Sequence, residues 1–347
     1  MLSLLYFLLV LTIVVFVHEL GHLIIAKKCG VKVLEFSIGF GKKICGFTDK
    51  SGVAWNIRCI PLGGFVKMYG DDNPSGAIGY SKKPTKDELK YALIYKHPLK
   101  KIAVAFAGPA MNFVLAIVLY IALFSTKGIP QVEPIIGDIM KNSQAEVIGL
   151  QKDDKIISVN GKKVASFNEI RPIIMKINEN KITFELVRNN KQFTLTGIFK
   201  QGEPLGVMSK LITYKKTNFI NAVKASFENM WMICSGTSQA VWNIIAHQKG
   251  LKGIGGPIAI AKQSAKAGQN GILALVEFIA LISVSLGIIN LLPILPLDGG
   301  HIAISFVELI IRRHAPNIAF KIFTYAGLAV VAFLMLLGFF NDLFINR

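Results

Sequence analysis

Acidic residues are scarce in this sequence and cysteines scarcer. Only 21 Asp plus Glu stand against 39 Lys plus Arg, for a formal net charge of +18. The four cysteines, Cys29, Cys45, Cys59 and Cys234, have no CxxC spacing, which argues against a disulfide framework or a Cys-based zinc site and leaves them as free, mostly packed thiols. Charged residues make up 17% of the chain against 52% hydrophobic, at a mean hydropathy of +0.50. That balance excludes an ordinary soluble domain and points to an integral membrane protein in the lipid bilayer. The basic excess then belongs to cytoplasmic loops and anionic headgroups, and no nucleic acid partner is expected. Positive charge is also missing from residues 1–17, so the basic region of a secretory signal peptide is absent and the first apolar segment is expected to be retained.

Long apolar runs occupy residues 4–26, 102–124, 272–295 and 318–340, each near the roughly 20 residues that cross a bilayer as helix. Four spans are expected. The loop between the first two carries Lys27, Lys28, Lys32, Lys42, Lys43, Arg58, Lys67, Lys82, Lys83, Lys100 and Lys101, and that between the last two carries Arg312 and Arg313; both should be cytoplasmic. Residues 219–247 mix aromatics with Lys224, Glu228, Asn229, Ser235, Gln239 and Asn243, which fits an interfacial amphipathic helix better than a fifth span. Parity agrees, because the first and third spans run parallel only if a single span returns between them.

The first span contains His18-Glu19-Leu20-Gly21-His22. Residues four apart share one helix face, so the imidazoles of His18 and His22 can reach a single ion, while Glu19 can reach a water at that ion. A chance match is the bland alternative, but idle ionisable groups at membrane depth are costly. Catalytic zinc takes three protein ligands. The best third candidate is Asp298, in Leu297-Asp298-Gly299-Gly300-His301, at the polar end of the third span behind Pro293 and Pro296. A turn aspartate is its alternative role, and His301 reads as a loop residue or a neighbour of the ligands. Asn290 either satisfies carbonyls freed by the proline break or orients substrate. Asn112, in Ala107-Gly108-Pro109-Ala110-Met111-Asn112-Phe113, reads mainly as part of a small-residue packing face.

From Gly128 to about Gln201 the composition turns soluble, with alternating strands at 155–159 and 183–187. The pattern from Ala145 to Gly161 resembles a bacterial PDZ domain, with Asn160-Gly161 as a tight turn and Asp153-Asp154 where Gly-Asp is usual. One copy fits, and it could bind peptide C-termini or act as a steric gate. Between Lys32 and Tyr69, alternation broken by glycines predicts hairpin strands beside the His-Glu helix, where either an open sheet edge pairs with an extended peptide or a cytoplasmic hairpin only packs.

These motifs together, with Asn290-Leu291-Leu292-Pro293-Ile294-Leu295-Pro296-Leu297-Asp298-Gly299-Gly300, resemble the site-2 protease family of intramembrane zinc metalloproteases over nearly the whole chain. The resemblance implies a polytopic α-helical membrane protein of four transmembrane helices, with a membrane-associated β-hairpin region and one inserted β-rich PDZ domain. Its parts are residues 1–127 (with the β-loop at about 32–70), a PDZ domain at 128–205, an amphipathic linker at 206–268 and a second membrane half at 269–347. It further implies a Zn2+ cofactor on His18, His22 and Asp298, Glu19 as catalytic base, Asn290 in contact with substrate, and a β-loop that clamps substrate in extended form. Single-span membrane proteins, such as an anti-sigma factor or remnant signal peptides, would be the substrates. The location implied is the bacterial inner membrane, with the PDZ domain outside and the active site toward the cytoplasm. Two departures stand out: one PDZ copy where the best-known relatives carry two, and Ser285 where some relatives have Asn. The rival reading is a metal transporter or a silent PDZ-bearing scaffold. A transporter would line a path across the bilayer with ligands, and a scaffold would have no use for Glu19.

Overall fold

The computed structural model describes residues 2–70, 88–140, 143–175, 181–200, 205–209, 212–247, 255–313 and 317–345. Lys82 and Lys83 of the basic loop lie outside them. The four cysteines are free but not packed away: Cys45 and Cys59 are exposed and Cys29 and Cys234 half-buried. The chain divides into two compact units, one of Met1–Leu123 with Val223–Arg347 and one of Phe124–Ala222 inserted between those halves.

The first unit begins with α1 (Leu2–Lys28), which contains no proline and ends on Lys27 and Lys28, cations that complement the negative helix C-terminus. Strands β1 (Val33–Thr48) and β2 (Ala54–Met68) follow as an antiparallel pair with many register shifts. Residues 35–38 are flanked on one side by 64–67 and on the other by 54–57, which in turn pair with 45–48. The hairpin therefore folds back on itself, and Gly39, Gly41 and Gly63 take the positive φ values, 83° to 114°, that its reversals need. Segment 64–68 is outermost in this sheet. Leu23, Ala26, Phe36, Val53, Val66 and Val104 bury the hairpin against α1 and α2 (Pro98–Thr126). Helix α2 starts on a proline, where the missing N–H costs nothing.

The inserted unit runs β3 (Ile129–Val132), β4 (Ile136–Ile139), α3 (Gln144–Ile148), β5 (Lys155–Val159), β6 (Lys162–Lys163), α4 (Phe167–Met175), β7 (Lys181–Arg188), β8 (Lys191–Ile198), β9 (Val207–Ser209) and β10 (Ile212–Lys215). A four-stranded antiparallel sheet has the order β6-β5-β7-β8, while β4 pairs with β9 and β3 with β10. Alternate residues of β7, namely Ile182, Phe184 and Leu186, enter a core shared with Ile136, Ile156, Val159, Ile170 and Ile174. Asn160 (φ 48°) and Gly161 (φ 73°) make the expected tight turn between β5 and β6, and Asn189 and Asn190 make a second one between β7 and β8. Asp153 takes φ 71°, the conformation for which a glycine would be the ordinary choice, and Asx side chains are among the few that tolerate it. The sequence boundary near residue 205 moves to Ala222, because β9 and β10 return to pair with β4 and β3.

The first unit resumes with α5 (Phe219–His247), α6 (Pro257–Gln269), α7 (Ile272–Asn290), α8 (Asp298–Ile311) and α9 (Asn317–Phe340). Among the described residues, four helical stretches are long and apolar enough to cross a membrane: Leu2–Lys28, Pro98–Thr126, Ile272–Asn290 and Ile322–Phe344. The long α5 is not one of them; it exposes Phe219, Ile220, Phe227, Trp231, Met232 and Trp242. Val10 and Val14 of α1 pack with Leu275, Phe278 and Ile279 of α7. The third span is shorter than its apolar run implies. It stops at Asn290, because Pro293 and Pro296 cannot continue a helix, and Asp298 opens the separate helix α8.

Candidate metal centre

Two glycines bring the walls of the site together. A Cβ on Gly21 would collide with the Ala107 carbonyl and the Met111 side chain, and one on Gly108 would run into the imidazoles of His18 and His22. Helices α1 and α2 therefore meet backbone to backbone, as small residues permit between apolar helices. This approach delivers two partners to the histidines: His22 Nδ1–H donates to the Val104 carbonyl at 2.8 Å, and the Asn112 amide lies 3.3 Å from His18 Nδ1. Since a carbonyl can only accept, His22 carries its proton on Nδ1 and turns the Nε2 lone pair inward.

Asp298, the first residue of α8, closes the constellation. His18 Nε2 lies 3.1 Å from Asp298 Oδ2, His22 Nε2 lies 3.4 Å from Oδ1, and the two Nε2 atoms are 3.2 Å apart. Both histidines are buried at 7% exposure. The 3.1 Å approach lacks hydrogen-bond geometry, so Asp298 Oδ2 is a buried acceptor with no hydrogen-bond partner among the described residues. Three inward electron pairs with too few protons between them suit a cation. A tetrahedral zinc with bonds of about 2.0–2.1 Å sets its ligand atoms about 3.3–3.4 Å apart, close to the three separations observed. The residues fit the metal. Among the described residues this is the one cluster of three or more such groups close enough to share an ion.

Glu19 stands on the same helix between the two histidines, within electrostatic reach of His18, His22 and Asp298 and near the Val66 backbone N–H. Val66 belongs to the outermost sheet segment, where Gly64 lies so close to α1 that a Cβ would touch Val15 and Glu19. Asn290, the last residue of α7, places Nδ2 3.5 Å from His18 Nε2 and so reaches the site. His301 sits in α8 but outside the three-ligand cluster. Ser285 lies on α7, two residues beyond buried Ser283, whose hydroxyl donates to the Asn112 carbonyl at 2.8 Å. Asn112 is the residue that sequence reasoning assigned elsewhere: it is fully buried and faces His18 rather than serving only as packing. Its place four residues after Gly108, on the helix face that meets the HExxH helix, was the available signal.

A sequence model of peptidase family M50 matches residues 6–334. A protein of Mesorhizobium japonicum named as a candidate zinc metalloprotease is 36% identical, with 97% of both chains aligned. Proteins named in the same way from Campylobacter jejuni and Rickettsia conorii are 37% and 33% identical, over 96% and 99% of this chain and 91% and 99% of theirs.

Proposed function

The chain belongs to peptidase family M50, and from that premise we propose that it is an intramembrane zinc metalloprotease that hydrolyses peptide bonds in or near the membrane segments of single-span proteins. The observation that carries this is the convergence of His18, His22 and Asp298 from helices α1 and α8, beside Glu19. Zinc on these three residues supplies Lewis-acid polarisation of a peptide carbonyl and of water. Glu19 is the base: it takes a proton from water and returns it to the departing amine. The Asn290 amide, at the mouth of the cluster, donates to the carbonyl oxygen as negative charge develops there.

A substrate helix hides its carbonyls and amides in internal bonds and must unwind before attack. Segment 64–68 offers replacement partners through strand addition, and its contact with Glu19 puts an extended peptide beside the base. The inserted unit is read as a PDZ domain, on its turn at Asn160-Gly161 and its helix-and-sheet order, and it serves as a peptide C-terminus site or a steric gate. The proposed location is the bacterial inner membrane, with the metal toward the cytoplasm, a reading supported by the basic residues of the loops between the first two and the last two spans. A transporter would need ligands along a path, whereas these gather at one point.

The test uses the full chain in detergent with a tagged single-span substrate, comparing wild type with Glu19→Gln and measuring zinc in both. Wild type should cut, the variant should lose turnover by at least about 100-fold, and each should hold one zinc. Cleavage by Glu19→Gln at the wild-type rate would remove the proposed base. Absence of zinc from wild type would remove the metal centre.

A further inference from the structure

We propose that Asn112 is a positioning residue whose side-chain amide sets which nitrogen of His18 carries the proton, presenting its carbonyl oxygen to His18 Nδ1–H whenever Nε2 binds the metal. This rests on the zinc-site reading above. The two histidines are held differently. His22 is tied at Nδ1 to a backbone carbonyl, which accepts only and so locks one tautomer. The partner of His18 is an amide, which can donate through Nδ2 or accept through Oδ1 by rotating half a turn.

In the structure Asn112 Nδ2 lies 3.3 Å from His18 Nδ1, and Oδ1 is buried with no hydrogen-bond partner among the described residues. That arrangement suits the His18 tautomer with its proton on Nε2 and a lone pair on Nδ1. Ligation needs the Nε2 lone pair, so the proton must sit on Nδ1, where the present amide nitrogen would meet it donor to donor. Rotation of the amide removes that clash and gives the orphaned oxygen its partner. The pivot stays fixed, because Ser283 of α7 donates to the Asn112 backbone carbonyl at 2.8 Å and Gly108, one turn earlier, packs on both imidazoles. Partners that orient a ligating histidine in this way typically affect metal affinity by about 10–100-fold.

The experiment measures zinc affinity of the full chain in detergent by chelator competition, for wild type, Asn112→Leu and Asn112→Asp, with the helix content and melting of each metal-free protein as a folding control. Asn112→Leu keeps the shape and loses the acceptor, so its dissociation constant should rise about 10–100-fold. Asn112→Asp restores an acceptor of the same size and should bind at least as tightly as wild type. In imidazole-15N-labelled protein, zinc should move the His18 proton from Nε2 to Nδ1 in wild type. Equal affinity of the leucine variant and wild type would overturn the proposal, as would an equal loss in both variants, which would mark a packing role. Failure of wild type to bind zinc would instead overturn the metal site on which the proposal rests.

Discussion

Substituting Gly108 by alanine adds one methyl group and tests the whole construction of the site. In an open helix the change should help, since alanine is about 1 kcal/mol better than glycine in a helix interior. Here the new Cβ would stand 2.7 Å from the Cε1 atoms of both His18 and His22 and nearer still to His22 Nε2. Ordinary contact begins near 3.4 Å, so the imidazoles must retreat by at least about 0.7 Å, His22 by more, or α1 and α2 must part. Catalytic groups need placement within about 0.5 Å, and an error near 1 Å costs about 100-fold in rate. Overpacking of this kind costs about 1–3 kcal/mol of stability, which outweighs the propensity gain. Gly108→Ala should therefore show weaker zinc binding by chelator competition, cleavage reduced about 100-fold, and a lower melting temperature. Gly236→Ala in α5 is the control, because a Cβ there meets nothing within 4 Å; it should be neutral or slightly stabilising. Wild-type zinc affinity and cleavage in Gly108→Ala would refute the close α1–α2 approach.

In the inserted unit, Arg188 donates through Nε and Nη2 to fully buried Asp154 at 2.7 and 2.8 Å and through Nη2 to the Gly149 carbonyl. Arg188→Met would leave the buried carboxylate with the Gln151 N–H but no countercharge, costing up to about 3–5 kcal/mol, and should speed amide exchange in β5 and β7 of the full chain while leaving α1 and α7 unchanged; unchanged exchange in β5 would count against the pair. At the β1–β2 turn, the Ser51 hydroxyl, the Trp55 indole N–H and the Val53 amide donate to Asp49 and hold its carboxyl well below the usual carboxylate range. A depressed folded pKa means that this stabilisation is complete above the unfolded value, about 3.9, and disappears as pH falls through the lower folded value. Trp55 emission should then stay flat from pH 7 to about 4, and Asp49→Asn should loosen the turn already at neutral pH; a wild-type midpoint near pH 4 would show that the network does not form.

What could be read from the sequence was what depends on local spacing. The apolar runs mark the spans because crossing a bilayer is a matter of length and hydropathy, and His18 and His22 share a face because four residues nearly complete a turn. Asp298 was within reach for a similar reason, since two prolines three residues apart, at 293 and 296, remove successive helical donors and favour a break there. The break before it, and its place as the first residue of α8, depend on how 291–297 turns. Asn112 was legible only as a polar residue one turn after Gly108; its facing of His18 lies in a register between α1 and α2 fixed by Gly21 and Gly108, and no pattern within one helix encodes the crossing of two. The same holds for the hairpin. Alternation announced strands, but placing 35–38 between 54–57 and 64–67 takes reversals at glycines whose φ angles no hydropathy pattern reports.

The folding back of the hairpin bears directly on how a buried carboxylate is kept useful. A plain two-stranded ribbon would leave either strand free to drift from α1. Here residues 35–38 are held on both sides, Phe36 is buried against Phe16 and Trp55, and segment 64–68 is thereby pinned against the helix that carries Glu19. A peptide that added to segment 64–68 would be paired next to the helix that carries Glu19. A proline at residue 66 removes a backbone donor from this segment and should impair cleavage while leaving the three metal ligands and zinc content intact. Normal cleavage by Val66→Pro would mean that the edge serves the substrate through other residues.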